Sequence, residues 1–259
     1  MSNSKNIYEY LDLDNLDMNR AYSLEEFEII SDQLKYRTLI IDDEPIHHFE
    51  LDKSGKLIPM PPTVFRKEYA VAKIVAQLEN WNKESRQKGV VTSSQGFKLE
   101  SGEVVAPDVA YTPRDTCHGL DDSQLDSFQG EPFSPTVVVE VEDFENIHGT
   151  KFNKVDLKFK NVYFAPKTSV QLGWLIDPKY EHIWIYRRDA RRVKKRTWSD
   201  LDGEEYLPGF TLEVAELEWQ DPGSLEASDE EEELEYSYSE CDQSFDSKHL
   251  LMKHLRRDH

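Results

Sequence analysis

The 259-residue chain is poor in cysteine, short of positive charge and without a long apolar run. Its two cysteines, Cys117 and Cys241, lie far apart in unlike surroundings, which excludes a disulfide framework of the secreted kind. Lys and Arg number 31 against 51 Asp and Glu, a net charge of -20. A surface that coats nucleic acid or an anionic membrane along its whole extent is therefore excluded, whereas a local basic patch is not. No stretch approaches the roughly 18 apolar residues of a membrane helix. The N-terminal MSNSKNIYEYLDLDNLD also lacks the charged-then-apolar pattern of a signal peptide. These absences predict a soluble intracellular protein, nuclear or cytoplasmic, with no membrane partner.

What is present can build a core. Hydrophobic residues make up 38% of the chain and aromatic residues 11%, which argues against wholesale disorder. The length suits one catalytic-sized domain with a small appendage. Residues 1–22 are acidic and aperiodic and read as a mobile leader. Ser23 and Glu26 then form a capping box ahead of Leu24, Phe27 and Ile30, which predicts a short helix. From Thr38 the runs TLIID, HHFELD and KLIPM are strand-like, with a turn at Gly55. RKEYAVAKIVAQLENWNKE places Tyr69, Ala72, Ile74, Val75, Leu78 and Trp81 on one face of a long helix.

GVVTSSQGFKL, VVAPDVAYT and PTVVVEVE follow as strands, the last continuously apolar through Val137, Val138 and Val139, as in a strand buried on both faces. The loop from Pro113 to Pro132 reads as a lid or an excursion. A further helix, TKFNKVDLKFKNVYF, precedes the strand pair VQLGWLIDP and HIWIYRR. The order predicts an α/β (α+β) domain over 23–219, a mixed central sheet flanked by helices. Residues 220–235, with Glu226 and Asp229 to Glu233 and no Lys or Arg, form an acidic linker.

Two acids stand out in apolar strand runs. Asp108 lies in APDVAYT and Glu140 in VVVEVED, where an unpaired charge costs several kcal/mol. They need a partner. Carboxylates from neighbouring strands suit a hard cation such as Mg²⁺ or Mn²⁺, which can bridge water and a scissile phosphate. The alternative is that each acid caps backbone or pairs with Arg or Lys at the sheet end.

The ordered series SLEEF, FELDKSGKLIPMPP, APDVAY, PTVVVEVE, QLGWLIDP, IWIYR and LPGF resembles the Uma-type restriction endonuclease family of the PD-(D/E)XK nuclease superfamily, over residues 23–219. The resemblance implies a restriction-endonuclease-like core and DNA phosphodiester cleavage with Mg²⁺ or Mn²⁺. It implies Asp108 and Glu140 as metal ligands, Lys158 as the active-site lysine, and Glu50 and Glu68 as further acids. The chain departs from the superfamily pattern at Glu142, where a lysine is usual. The helix after Glu140 offers Lys151, Lys154, Lys158 and Lys160 in its place. DNA is the implied partner, with a homodimer as an oligomeric form; the competing expectation is a catalytically weak, nuclease-derived DNA-binding adaptor.

The C-terminal residues 236–259 resemble a Cys-Cys-His-His zinc finger of ββα form. Twelve residues separate Cys241 from His254 and four separate His254 from His259, with Phe245 and Leu251 at the core positions. Tyr238 occupies the first cysteine position. Cys241, His254 and His259 are thus candidate Zn²⁺ ligands, and a decayed finger that binds no metal is the alternative. The run RRDARRVKKR, Arg187 to Arg196, either contacts phosphates, serves as a nuclear import signal or is a charged hairpin tip.

Overall fold

The computed structural model describes residues 11–190 and 193–220, with the backbone of 236–237 and 244–245. The chain divides into two units, 1–219 and 220–259. In the second, Tyr236–Ser237 pairs antiparallel with Ser244–Phe245. Tyr238, Cys241, His254 and His259, and with them the finger, lie outside the described residues, as does the linker over 221–235.

The first unit runs α1 (Leu24–Leu34), β1 (Leu39–Ile41), β2 (Glu44–Ile46), β3 (His48–Leu51), β4 (Leu57–Met60), α2 (Phe65–Glu84), β5 (Val90–Ser93), β6 (Phe97–Lys98), β7 (Val104–Val105) and β8 (Val109–Thr112). It continues with α3 (Arg114–His118), α4 (Asp122–Asp126), β9 (Val137–Val141), α5 (Thr150–Lys158), β10 (Leu172–Asp177), β11 (His182–Arg187), β12 (Lys194–Arg196), β13 (Leu201–Asp202) and β14 (Thr211–Leu212). The central sheet has the order β12-β11-β10-β9-β8-β5. Only its β9–β10 pair is parallel. A second sheet, β4-β3-β7-β6, lies beside it in the chain order.

Burial follows the pleat. Val137, Val139 and Val141 pack in one cluster with Ile74 and Leu78 of α2. Val138 turns to the other face, with Leu175, Phe159 and Tyr163. The sheet is therefore covered on both sides, which is why β9 is continuously apolar. Two sequence runs each split between the sheets. GVVTSSQGFKL supplies β5 to the first and β6 to the second; VVAPDVAYT supplies β7 to the second and β8 to the first. Pro107 lies at the second crossing, where it has no N–H to extend a ladder. The strand period alone does not reveal such a change of partner.

The Ser23 and Glu26 capping box forms as expected, each side chain bonding the other's backbone N–H. The leader does not end at Ser23. Leu13, in a 3-10 turn, and Tyr22 are buried with Phe27 and Ile30 of α1, so residues 11–22 belong to the fold. Their acidity conceals two apolar anchors. On α2 the buried face is Ala70, Val71, Ile74, Leu78 and Trp81, whereas Ala72 is exposed. The 113–132 loop is ordered by α3 and α4, and Phe128 packs on Phe27 with rings 5.5 Å apart. It is tied down rather than free.

The helix after β9 holds the feature that shapes the site. α5 passes into a π-helical turn over Phe159–Tyr163, closed by the Phe164 N–H donating to the Phe159 carbonyl at 2.9 Å. Residues five apart on an α-helix point about 140° from each other at 3.6 residues per turn. The wider π turn brings Lys158 and Tyr163 to the same side. Gly173 of β10 makes room, since a Cβ there would stand 2.6 Å from the Phe159 ring. That ring stacks on Tyr186 at 4.2 Å.

Candidate active site at the junction of the two sheets

Asp108 immediately precedes β8, and the register Val109↔Val139 places it opposite Glu140 on β9. Side chains directly opposite on antiparallel strands have Cβ atoms about 4.5–5.5 Å apart. The Asp108 carboxylate is fixed by the Val141 N–H, which donates to its Oδ2 at 2.7 Å. Burial, then the charge of Glu140, pushes its pKa up to about 7, against the opposing pull of Lys67, the Val141 N–H and Lys158. Two carboxylates are thus held together where both cannot comfortably ionise.

Glu50 arrives from the other sheet, on β3, and is 4% exposed. It accepts from the Ala106 N–H at 2.8 Å, just before the chain crosses to Asp108. Lys158 ties the two sheets together. Its Nζ is 2.8 Å from Glu50 Oε1 and 3.0 Å from Glu140 Oε1. Burial works against its charge, but Glu140, Tyr163 and Glu50 together hold its pKa well above the usual lysine range. Tyr163 donates its hydroxyl to the same Glu140 oxygen. Burial and the Glu140 charge push that phenol well above its ordinary value, so it stays a neutral donor.

The structure therefore brings four of the five expected residues together: Asp108, Glu140, Lys158 and Glu50. Glu68 is exposed on α2 and makes none of the hydrogen bonds or ion pairs of this cluster. Its neighbour Lys67 does, with Nζ 3.4 Å from Asp108 Oδ2 and 3.7 Å from Glu142 Oε2. Burial acts against the Lys67 charge, and Asp108, Glu142 and Glu140 outweigh it and raise its pKa. Glu142 in turn meets Lys151 at 2.6 Å. Lys67, Tyr163 and His48 were not singled out by sequence. His48, two residues before Glu50 and so on the same side of β3, has its imidazole pKa pushed down by burial, against the pull of Glu50. A signal for Lys67 was available only as the first turn of a helix whose placement was unknown.

The profile of the Uma2 family, described as "Putative restriction endonuclease", matches residues 32–215, more than two thirds of the chain. The chain belongs to the Uma2 family. Its fold is similar to the crystal structure of "a putative nuclease belonging to DUF820" from Anabaena variabilis ATCC 29413. The match has 17% sequence identity and a TM-score of 0.52, over 76% of this chain and 97% of that one. No curated protein matches the sequence. Within this Uma2 chain the cluster lies inside the matched segment, at the only place where β3, β8, β9 and α5 contribute to one network of charged side chains among the described residues.

Among the described residues no group of three or more His, Cys, Asp or Glu gathers to hold an ion. Two carboxylates do face one another, and among the described residues no hydrogen bond engages Asp108 Oδ1 or Glu140 Oε2. Burial first and then the Glu140 charge raise the Asp108 pKa, and a bound cation would relieve the second. A hard cation with water in its remaining positions fits this donor set. Among the described residues no helix is long and apolar enough to cross a membrane.

The basic run is partly spent on structure. Arg187 pairs with Glu204 through its Nε at 2.7 Å. Arg188 donates to the carbonyls of Val170 and Thr168, each at 2.7 Å. Arg191 and Arg192 lie outside the described residues. Lys194, Lys195 and Arg196 form β12, the edge of the central sheet.

Proposed function

We propose that this protein is a DNA endonuclease that hydrolyses phosphodiester bonds with Mg²⁺ or Mn²⁺ held by Asp108 and Glu140. The observation that carries the reading is the pair of facing carboxylates, one with its pKa raised to about 7, inside the family's matched segment. When bound, the cation would polarise the scissile phosphate and acidify the attacking water. The chain's own residues prepare the place for it. The Val141 N–H sets the angle of Asp108. Lys158 and Tyr163 engage the same oxygen of Glu140, and among the described residues no hydrogen bond takes its other oxygen. Glu50 anchors Lys158 and offsets its charge, so that the buried cluster stays close to neutral. Lys194, Lys195 and Arg196 on the sheet edge supply positive charge for a duplex that flanks the site.

The test is supercoiled plasmid incubated with the full chain and Mg²⁺ or Mn²⁺. Nicking that chelation of the metal abolishes is the expected result. DNA binding without cleavage at any divalent concentration would instead identify a nuclease-derived adaptor.

For the C-terminal segment we propose weak Zn²⁺ binding through Cys241, His254 and His259, because Tyr238 removes one thiolate from a tetrahedral site. Tyr238→Cys is expected to tighten binding by at least about tenfold, the low end of what one ligating group or its support contributes. Co²⁺ titrated into both full-length chains, followed by its tetrahedral absorption bands, measures this. Equally tight binding by the natural chain would show that His249 or an acid fills the fourth position.

A further inference from the structure

We propose that Lys67, in the first turn of α2, is a second active-site lysine, the one whose ammonium meets a phosphate oxygen of the DNA at the bond to be cut. This rests on the endonuclease reading and adds to it a substrate contact that neither the family profile nor the expected site residues assign. The two lysines of the cluster are in different states. Lys158 is closed. It lies 2.8 Å from Glu50 and 3.0 Å from Glu140, with the face of Tyr163 5.3 Å away. Lys67 is open. Its nearest acceptors, Asp108 Oδ2 at 3.4 Å and Glu142 Oε2 at 3.7 Å, both lie beyond the 2.7–2.9 Å of an ordinary ammonium–carboxylate hydrogen bond.

The nearer acceptor is also engaged elsewhere, since Asp108 Oδ2 already takes the Val141 N–H at 2.7 Å. Glu142 pairs through its other oxygen, Oε1, with Lys151 at 2.6 Å, which shares its charge between two lysines. The Lys67 side chain is only 16% exposed, so water cannot freely satisfy its three donors. A largely buried ammonium whose acceptors stand at 3.4 and 3.7 Å can take a further, closer oxygen.

Its position fits a phosphate. Exposure rises along the row Asp108, Glu142 and Lys151, whose side chains are 15%, 26% and 60% exposed. Lys67 spans the first two members of that row, so its ammonium lies beside the carboxylate that the cation would share and next to the more exposed end of the cluster. In the hydrolysis, the water oxygen bonds to phosphorus and the ester bond from phosphorus to the leaving strand oxygen breaks. One water proton ends on that leaving oxygen and the other passes to solvent, while Lys67 keeps its proton throughout. The ammonium stabilises the charge that gathers on the non-bridging oxygen.

The test compares full-length wild type, Lys67→Met, Lys67→Arg and the double variant Lys67→Met/Glu142→Lys, each checked by thermal melting. Binding of a fluorescent duplex without divalent cation is measured against salt, and cleavage is measured with Mn²⁺. Loss of one phosphate contact should lower the slope of log K against log salt by about 0.9 in Lys67→Met and leave it intact in Lys67→Arg. Cleavage by Lys67→Met should fall by about 10²–10³-fold, as for the loss of one charge-stabilising donor. Glu142→Lys, which returns an ammonium to the same spot, should recover part of it. A wild-type slope in Lys67→Met overturns the proposal, whatever the cleavage. Wild-type cleavage no greater than that of Asp108→Ala overturns the endonuclease reading instead, and the salt slope still decides the phosphate contact.

Discussion

Asp108→Asn is expected to lose divalent-dependent cleavage by at least about 100-fold, beyond the 10–100-fold typical of residues that only support a metal ligand. The same change should make the metal-free protein more stable at neutral and alkaline pH. In the folded chain the Asp108 carboxyl keeps its proton up to about pH 7, against 3.8 ordinarily. Between those values the folded state binds more protons than the unfolded state, so this group makes stability fall as pH rises from about 4 to 7. Above pH 7 the whole loss is present. An uncharged side chain of the same shape removes it. One pKa unit corresponds to about 1.4 kcal/mol, so a gain of at least that size is expected at pH 8, an increase of about 3–6 °C in Tm. At pH 4 the two proteins should melt alike. Thermal melts across this range decide the matter, and an Asn variant less stable than wild type at pH 8 would show that Lys67 and the Val141 N–H need the negative charge more than Glu140 resists it.

Lys158→Met should have the opposite effect on stability. It leaves Glu50 and Glu140 buried without their shared cation, and breaking a buried pair in this way costs about 3–5 kcal/mol. The corresponding fall in Tm is on the order of 10 °C. Adding Glu50→Gln to the variant should return part of the loss, because only one uncompensated acid then remains. Denaturant melts of the three chains at pH 8 test this. A loss under about 1 kcal/mol would mean that the two acids are solvated well enough to stand alone, and that Lys158 does not hold the sheets together.

Much of this was written locally. The capping box at Ser23, the continuous valines of β9 and the turn between β10 and β11 each depend on residues close in sequence, and each forms as the pattern requires. Asp108 and Glu140 were legible because acids inside apolar strands are costly and so demand a partner. Lys158 was legible through the family resemblance, which implies a lysine on the helix after Glu140 in place of the one missing at Glu142. Glu68 illustrates the limit of such reasoning. Helix periodicity ranks faces but does not say which turn of α2 approaches the sheet end, and one step of about 100° separates the exposed Glu68 from Lys67. Leu13 and Tyr22 were hidden by the acids around them, because average composition does not register two well-placed anchors.

By itself the sequence determined the longer helices, most of the strands and the identity of the paired acids, since these follow from short-range periodicity, capping and the cost of burying charge; the short helices α3 and α4 within 113–132 it did not reveal. Only the tertiary structure decided that the chain changes sheets between Ser93 and Phe97 and again between Val105 and Val109, that a π turn swings Tyr163 onto the side of Lys158, and that Glu50 of β3 meets Lys158 while Lys67 of α2 meets Asp108 and Glu142. Those features arise from contacts between residues up to 108 positions apart. Their energies depend on which elements become neighbours, and no local pattern records that.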